Sequence, residues 1–326
     1  VEHKMILGFK GLFLGITDGA TQMLMDFCLV GEKGKNGTYS LKQKQLDARF
    51  TKERKAESHT AKRIKEYDES KITLMIEMIK RLIARKIHFD YILADSWFAC
   101  AEVIKFVTSR HIKCHYLGMI KMGKTKYHYN RKDYTAKALV ALFDHPKKGR
   151  KYSRSLGCYY VTVDVEFAGR KVRLFFTKRN KKSDWNALIT TNTELEFKEA
   201  YRIYSMRWSL EVVFKDSKGN LGLGKYQMRN FASQIACTAI TAMQYNILAT
   251  ARRFSSYETI GGLFREVTRN SVELTITERI WGMIIDIVNE IAQCFEIEDE
   301  KIFETLINRS DKLQHFIQIY ELKMAS

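Results

Sequence analysis

The sequence predicts an α/β protein in which a mostly antiparallel β segment interrupts an alternating strand–helix region and helices follow. Residues 72–118 alternate between helical and strand patterns, as expected for an α/β layer architecture. Residues 121–184 contain runs of alternating apolar and polar side chains, which indicate antiparallel strands. Residues 185–326 repeat apolar residues at helical spacing. A chain of 326 residues can bury its own core as one large domain or two smaller ones.

The first segment of the chain predicts a hairpin. An apolar run from Ile6 to Ile16 and a second run from Met23 to Val30 predict two strands. The Thr17-Asp18-Gly19 sequence between them is typical of a tight hairpin turn. The segment from Lys33 to Lys71 is rich in Lys, Arg, Glu and Gln. Its composition predicts an exposed region.

The next segment predicts a helix, a buried strand, a second helix and another strand. The apolar run from Phe89 to Ala94 indicates a strand buried on both faces, and His115 to Ile120 indicates the later strand. Asp95 directly follows the buried strand, where open α/β sheets bind their ligands. It is therefore either the N-cap of the following helix or a metal ligand. The first helix is predicted from the stripe of Ile72, Met75, Ile76, Ile79, Leu82 and Ile83.

Residues 121–184 form a basic segment. They hold 18 lysines and arginines against 5 acidic residues, which is +13 of the chain's net charge of +18. Runs from Cys158 to Phe167 and from Lys171 to Thr177 predict two strands joined by a turn at Ala168-Gly169. Interleaved tyrosines and cations suit phosphate contacts with base stacking, and the alternative is a solvated lysine-rich sheet. The candidate DNA contacts here are Lys121, Lys124 and Lys126.

The last part of the chain is predicted to be helical. The predicted helices are Leu195 to Lys218, Phe231 to Phe254, Ile276 to Phe295 and Ile302 to Met324. The helix Phe231 to Phe254 contains too many polar residues to face lipid, so no membrane span is expected. The first of these helices carries a polar stripe among apolar neighbours, made of Tyr204, Arg207, Glu211 and Lys218. Taken alone, the stripe could be an Arg207–Glu211 surface pair beside a solvated lysine.

The spacing Tyr204-x2-Arg207-x3-Glu211-x6-Lys218 resembles the YREK signature of bacterial insertion-sequence transposases of the DDE class, in the group called insertion-sequence family four. Three segments carry the resemblance further, namely GFKGLFLGITDGATQMLMDFCLV at the hairpin, YILADSWFA around Asp95 and IYSMRWSLEVVFKDSKGNLGLGKYQMRN around the stripe. The resemblance implies an RNase H-like core in residues 1–120 and 185–255. It also implies a basic β insertion in residues 121–184 and a C-terminal helical region in residues 256–326.

The same resemblance implies phosphoryl transfer on double-stranded DNA at insertion-sequence ends, in cut-and-paste movement. Asp95 and Glu211 would hold divalent ions, usually Mg²⁺ with Mn²⁺ able to substitute, because hard cations prefer carboxylate oxygens. Tyr204, Arg207 and Lys218 would hold phosphates near the cut. Aromatic residues hold a flipped base in relatives, which points to Trp185 and Trp208. Trp97 is instead expected in the core.

The resemblance is incomplete at one position, because a DDE site needs three acids. Asp18 lies in the hairpin turn and Asp26 on the strand after it, and neither is expected to reach the site. The chain begins with Val1, so the first acid is expected upstream and the chain to be a catalytically incomplete fragment. It would act as a homodimer, in the cytoplasm of a bacterium and associated with the nucleoid.

Two other functions remain open from the sequence. One is a non-catalytic DNA-binding remnant or repressor derived from a transposase, which lacks the first acid. The other is a basic protein associated with RNA or a membrane, in which Asp95, Glu211 and Lys218 do not converge.

Overall fold

The computed structural model describes residues 9–31, 33–34, 37–38, 55–228, 230–295, 308–312 and 314–315. The chain divides into two compact units, Val1–Ser256 and Tyr257–Ser326. The strands within the described residues are β1 Lys10–Thr17, β2 Gln22–Val30, β3 Lys33–Gly34, β4 Gly37–Thr38, β5 Tyr91–Ala94, β6 His115–Ile120, β7 Lys126–Tyr129, β8 Lys132–Thr135, β9 Lys151–Ser153, β10 Cys158–Phe167, β11 Arg170–Lys178 and β12 Asn186–Thr190. The α-helices there are α1 His59–Lys65, α2 Lys71–Ala84, α3 Ala101–Val107, α4 Ala136–Phe143, α5 Phe197–Ser205, α6 Ser209–Asn220, α7 Phe231–Arg253 and α8 Ile260–Phe295.

A mixed sheet of eight strands forms the centre of the first unit. Its order is β5-β6-β12-β11-β10-β7-β8, with β9 paired to β10. Strands β5 and β6 are parallel, with Ala94 opposite Gly118, and the other pairs are antiparallel. The basic strands therefore continue the same hydrogen-bonded sheet that carries the parallel pair. The predicted α/β class, with antiparallel strands after the parallel pair and helices at the end, is confirmed.

Both faces of this sheet are buried, and the alternation of side chains along the strands explains how. On β11, Leu174 and Phe176 belong to a core cluster with α3 and α4, whereas Phe175 belongs to a second cluster with α5. Successive side chains of a strand point to opposite faces, so one apolar run serves both layers. In the second cluster, Phe197 of α5 stacks on Tyr160 of β10 with ring centroids 4.2 Å apart.

The hairpin β1–β2 forms a separate two-stranded sheet. Its register runs from Lys10 opposite Val30 to Thr17 opposite Gln22, so the predicted hairpin is confirmed, with residues 18–21 as its loop. Helix α7 crosses β2, where Asn246 binds both backbone groups of Leu24. The Asn246 amide accepts from the Leu24 N–H and donates to the Leu24 carbonyl, both at 2.8 Å. The Asn246 side chain thus supplies to Leu24 the two hydrogen bonds that a neighbouring strand would otherwise make.

Part of the charged segment before α2 packs against the core, although its composition predicted an exposed region. Tyr67, in the 3₁₀ turn Glu66–Asp68 after α1, is buried against Phe231 of α7. Arg63 of α1 forms ion pairs with Asp26 and Glu66. The residues from 39 to 54 lie outside the described part of the chain.

Several predicted elements agree with the structure and others need correction. The helix predicted from Ile72 is confirmed as α2, and the helix predicted from Phe231 is confirmed as α7. The predicted helix Leu195 to Lys218 is wrong as a single helix, since the 3₁₀ turn Met206–Trp208 separates α5 from α6. Helix α4 was not predicted within the basic segment; Thr135 caps it, and its Oγ1 accepts from the Ala138 N–H at 3.2 Å.

Two further corrections concern the residues at which helices α8 and α3 begin. The helix predicted from Ile276 begins earlier, at Ile260. Asp95 is not the N-cap of the next helix, because α3 begins at Ala101 with Cys100 as its cap. Most of the predicted helix Ile302 to Met324 lies outside the described residues. Within the described residues, no helix combines the length and apolar character that a bilayer crossing requires.

Candidate functional site

Asp95 lies at the carboxyl end of β5, exposed, and its carboxylate organises the turn that follows. Asp95 Oδ1 accepts from the Trp97 backbone N–H at 2.8 Å. The Asp95 carbonyl accepts from the Phe98 N–H at 3.2 Å. One carboxylate oxygen thus orients the side chain. A short strand ending in such a turn gives Asp95 a defined position at the sheet edge.

Tyr204, the last tyrosine of α5, lies against the end of the neighbouring strand β6. Tyr204 packs against the cluster that contains Leu117 and Met119 of this strand. Burial raises the pKa of Tyr204, Arg207 opposes that rise, and the charge of Asp95 adds to it. Because Ala94 lies opposite Gly118, the neighbour of Met119, the cluster around Tyr204 is next to the carboxyl end of β5.

Arg207 connects Tyr204 to Glu211. The Arg207 guanidinium carbon lies 5.8 Å from the centroid of the Tyr204 ring, and Arg207 Nη1 lies 3.5 Å from Glu211 Oε1. Glu211 is about half exposed, at 49% of its side chain. Tyr204, Arg207 and Glu211 therefore form a series of neighbouring contacts, and Asp95 follows the strand end that lies beside its Tyr204 end. Lys218 is exposed about two helical turns beyond Glu211 and makes no ion pair within the described residues.

A cleft of about 300 Å³ lies beside this series, between α5 and strands β6 and β12. Tyr201, Tyr204, Arg207 and Trp208 line its helical side, and Asn186 lies on the sheet side. Trp208 is 64% exposed and therefore does not pack in the core. It is the last residue of the 3₁₀ turn between α5 and α6.

Trp185 is held inside the protein by a polar cluster. Its Nε1–H donates to Asp144 Oδ2 at 3.2 Å, and Lys178 Nζ lies 4.4 Å from its ring centroid. Asp144 also pairs with Lys178 at 2.8 Å and with Arg150 at 2.9 Å. These contacts assign Trp185 a structural position, and its role in base stacking stays a prediction.

Trp97 is the residue that the sequence placed incorrectly. It is 57% exposed rather than part of the core, because it follows Asp95 in a turn that leaves the sheet. Lys121 Nζ lies 4.6 Å from its ring centroid and Lys71 Nζ lies 5.7 Å from it. Lys121 follows β6, and Lys124 and Lys126 are exposed further along the chain. The sequence feature that could have indicated this exposure is that Trp97 lies two residues after an acid at the end of a strand.

The two weaker acid candidates are occupied elsewhere. Asp18 accepts from the Ala20 and Thr21 backbone N–H groups at 3.0 and 2.8 Å and from Arg253 at 2.7 Å. The hydrogen bond from Thr21 and then the one from Arg253 hold the pKa of Asp18 well below its usual range. Asp26 is buried and pairs with Arg63 and with Arg81. Neither carboxylate is arranged to join Asp95.

The donor chemistry of Asp95 and Glu211 fits a hard divalent cation. Mg²⁺ is commonly held by one or two carboxylates together with phosphate oxygens of the substrate. Both side chains are exposed enough to meet such a substrate. Among the described residues, no three Asp, Glu, His or Cys side chains are grouped as a metal site. The two carboxylates would therefore hold a metal together with DNA rather than as a closed protein site.

Comparison with known proteins adds family information. Residues 56–247 match a family described as "Transposase DDE domain", which is more than half of the chain. A solved structure of the piggyBac transposase synaptic complex with hairpin DNA is similar at a TM-score of 0.36 and 12% sequence identity. The match covers 61% of this chain and 39% of that chain, so this chain spans about two fifths of that protein. Among curated proteins, no sequence matches.

Proposed function

From the premise that the chain belongs to the DDE transposase family, we propose that it acts in cut-and-paste movement of a bacterial insertion sequence of family four. Its substrate would be double-stranded DNA at the ends of that element. The reaction would be cleavage of a phosphodiester followed by strand transfer. The Tyr204, Arg207, Glu211 and Lys218 spacing supports the assignment to this group.

The observation that carries this proposal is the series from Asp95 through Tyr204 and Arg207 to Glu211. It lies between the carboxyl end of β5 and the start of α6, where two carboxylates are exposed. Carboxylates at this edge of a sheet, beside exposed lysines, suit phosphate chemistry on a polyanion.

Each residue has a role in this proposal. Asp95 and Glu211 would hold Mg²⁺, or Mn²⁺ in its place, and the metal would stabilise charge on the reacting phosphate. Arg207 would contact a phosphate of the substrate, because its planar guanidinium offers paired donors to phosphate oxygens. Tyr204 would hold Arg207 in position through its ring and hydroxyl. Lys218 would contact the DNA backbone away from the metal. Trp208, on the open rim of the cleft, would hold a displaced base.

A second function is kept as an alternative. A DDE site uses three acids, and the sequence offers Asp95 and Glu211 as two of them. A DNA-binding remnant or repressor derived from a transposase would keep the basic surface and lose cutting. Both functions predict DNA binding, so only cleavage separates them.

The test is a cleavage assay with end-labelled duplexes that tile the DNA on either side of the coding sequence. The protein is incubated with Mg²⁺, with Mn²⁺ or with a chelator, alongside Asp95→Asn and Glu211→Gln. Metal-dependent cutting that either substitution reduces by at least about 100-fold would support the transposase.

Two other outcomes have different meanings. Specific binding without cutting under any metal condition would favour the repressor. Cutting that survives in both Asp95→Asn and Glu211→Gln would exclude these two residues as metal ligands. A matched control is Asp164→Asn, which removes an exposed carboxylate on β10 that pairs with Arg173.

A further inference from the structure

The indole of Trp97 is an exposed aromatic surface directly beside Asp95. Its ring is 57% exposed, whereas large aromatic side chains on soluble proteins are mostly covered. Its backbone N–H donates to Asp95 Oδ1 at 2.8 Å, so the residue is anchored next to that carboxylate. An exposed tryptophan at such a place has the properties of a binding residue.

Two lysines approach this ring from different elements. Lys121 follows β6, and its Nζ lies 4.6 Å from the ring centroid. Lys71 begins α2, and its Nζ lies 5.7 Å from the same centroid. Exposed cation–ring contacts of this kind are weak, so an incoming aromatic ring can replace an ammonium group on the indole. The displaced ammonium groups then remain within reach of a phosphate.

The surface next to the ring is open. A depression of about 310 Å³ is lined by the first residues of β1, by Lys71, and by Asp95, Trp97 and Phe98. It contains Lys10 as a further cation. A flat aromatic surface surrounded by cations and open on one side matches an aromatic base attached to an anionic backbone.

We propose that Trp97, Lys71 and Lys121 form a nucleotide subsite beside Asp95. An unpaired base stacks on the Trp97 indole, and the flanking phosphates contact the ammonium groups of Lys71 and Lys121. The subsite rests on the proposed action on DNA and adds which nucleotide is held next to the carboxylate. A protein partner fits the surface less well, because covering the Lys121 ammonium group with apolar side chains would leave its charge desolvated.

The test uses a duplex with a single-stranded overhang and a series in which one overhang base at a time is replaced by an abasic site. Dissociation constants are measured by fluorescence anisotropy for the unaltered protein, Trp97→Ala and Trp97→Tyr. Trp97→Ala is expected to weaken binding of the intact overhang by about 5- to 100-fold, as for loss of one stacked base. Trp97→Tyr keeps an aromatic face and is expected to retain most of the affinity.

The abasic series locates the stacked base. At one position the abasic site should weaken binding of the unaltered protein as much as Trp97→Ala does. The same abasic site should have little further effect in Trp97→Ala, because both changes remove the same contact. Phe254→Ala is the control, since Phe254 is 82% exposed and lies at the end of α7. It is expected to bind every duplex like the unaltered protein.

Salt dependence separates stacking from charge. Lys71→Gln and Lys121→Gln should each lower the slope of log Kd against log salt concentration by about 0.7 on the single-stranded overhang. Trp97→Ala should leave that slope unchanged. Stacking also quenches indole emission, so DNA should quench Trp97→Tyr less than the unaltered protein. This measurement does not depend on the folding of Trp97→Ala.

The outcomes distinguish the subsite from the function on which it rests. Equal dissociation constants for Trp97→Ala and the unaltered protein on every duplex would overturn the subsite alone. Equal quenching of Trp97→Tyr and the unaltered protein would do the same. Absence of DNA binding by the unaltered protein would overturn the proposed function and the subsite together.

Discussion

At Asp26, two arginines share one buried carboxylate. Arg63 pairs with Asp26 Oδ1, and Arg81 Nε lies 2.7 Å from Asp26 Oδ2. Glu66 completes the cluster through contacts with both arginines. The cluster joins β2 to α1 and α2, and both of these helices lie well after β2 in the sequence. Charges that are buried together are costly to separate, because removing one leaves the others without compensation.

Asp26→Asn is expected to lower the free energy of unfolding by roughly 2–3 kcal/mol, somewhat less than for a fully buried pair because both arginines keep some contact with water. Urea denaturation followed by circular dichroism measures the change. Asp164→Asn is the control, because Asp164 pairs with Arg173 at 55% exposure and should cost at most about 1 kcal/mol. Equal losses in the two variants would contradict a special role for the buried cluster.

Asp18 makes a different prediction, for the dependence of stability on pH. Hydrogen bonds from the Thr21 backbone and from Arg253 lower its pKa in the folded protein. A carboxyl with a lowered folded pKa stabilises the protein above its unfolded pKa of about 3.9 and loses that contribution as pH falls through the folded pKa. The stability difference between the unaltered protein and Asp18→Asn should therefore be constant above about pH 5 and shrink in more acidic solution. Denaturation midpoints measured across this range check the sign, and a difference that grows toward acid would contradict it.

At the scale of elements, α7 is fixed to the hairpin by one side chain. Asn246 satisfies both backbone groups of Leu24, which lies near the start of β2 and is buried. Asn246→Ala should lower the free energy of unfolding by about 1–3 kcal/mol, because a partly buried donor and acceptor lose their partner. Gln244→Ala, on an exposed face of the same helix, should change it by less than about 0.5 kcal/mol. A denaturation curve for each variant tests the difference.

Local patterns predicted most helices and the strands β1, β2, β5, β6, β10 and β11, but they missed β12, which lies in the region predicted to be helical. They also could not predict where tertiary contacts break or reorient an element. Apolar and polar side chains alternate along β10 and β11, so both strands and the turn between them were predicted from the sequence. The 3₁₀ turn at Met206–Trp208 contains no glycine or proline to announce it. It depends on packing of α5 and α6 against different parts of the protein.

The candidate site was selected from residue positions and spacing, and its arrangement could not be predicted from them. Asp95 was recognised from its place after a buried strand, and the stripe was recognised from its spacing. The exposure of Trp97 could not be read locally, because burial depends on which neighbours cover a ring. Trp185 shows the reverse case, since its partners Asp144 and Lys178 come from other elements.

For the whole molecule, the distribution of charge predicts how DNA binding responds to salt. Residues 121–184 carry +13 of the net charge of +18, and their strands share the sheet that ends at Asp95. Replacing Lys124 and Lys126 by glutamine should lower the slope of log Kd against log salt by about 2 on duplex DNA, because each lost phosphate contact lowers it by about 0.9. Anisotropy titrations at several salt concentrations measure the slope.

A pair of lysines on helices gives the matched control. Lys80 and Lys105 are exposed on α2 and α3, and changing both to glutamine removes the same charge. Their slope should stay close to that of the unaltered protein. If both pairs of substitutions lower the slope equally, binding follows net charge rather than the basic strands.

Because the eight-stranded sheet is continuous, it fixes the distance between strand β5 and the basic strands. Five strand-to-strand steps separate β5 from β7 in the sheet order, and each step is about 4.8 Å. A phosphate bound at β7 would therefore lie about 24 Å from Asp95 across the sheet, close to seven base pairs of duplex DNA at about 3.4 Å each. Hydrogen bonds between every pair of strands prevent this span from changing freely. The position of DNA at the Asp95 carboxylate would then be set by the number of strands from β5 to β7, whatever base sequence lies between the two contacts.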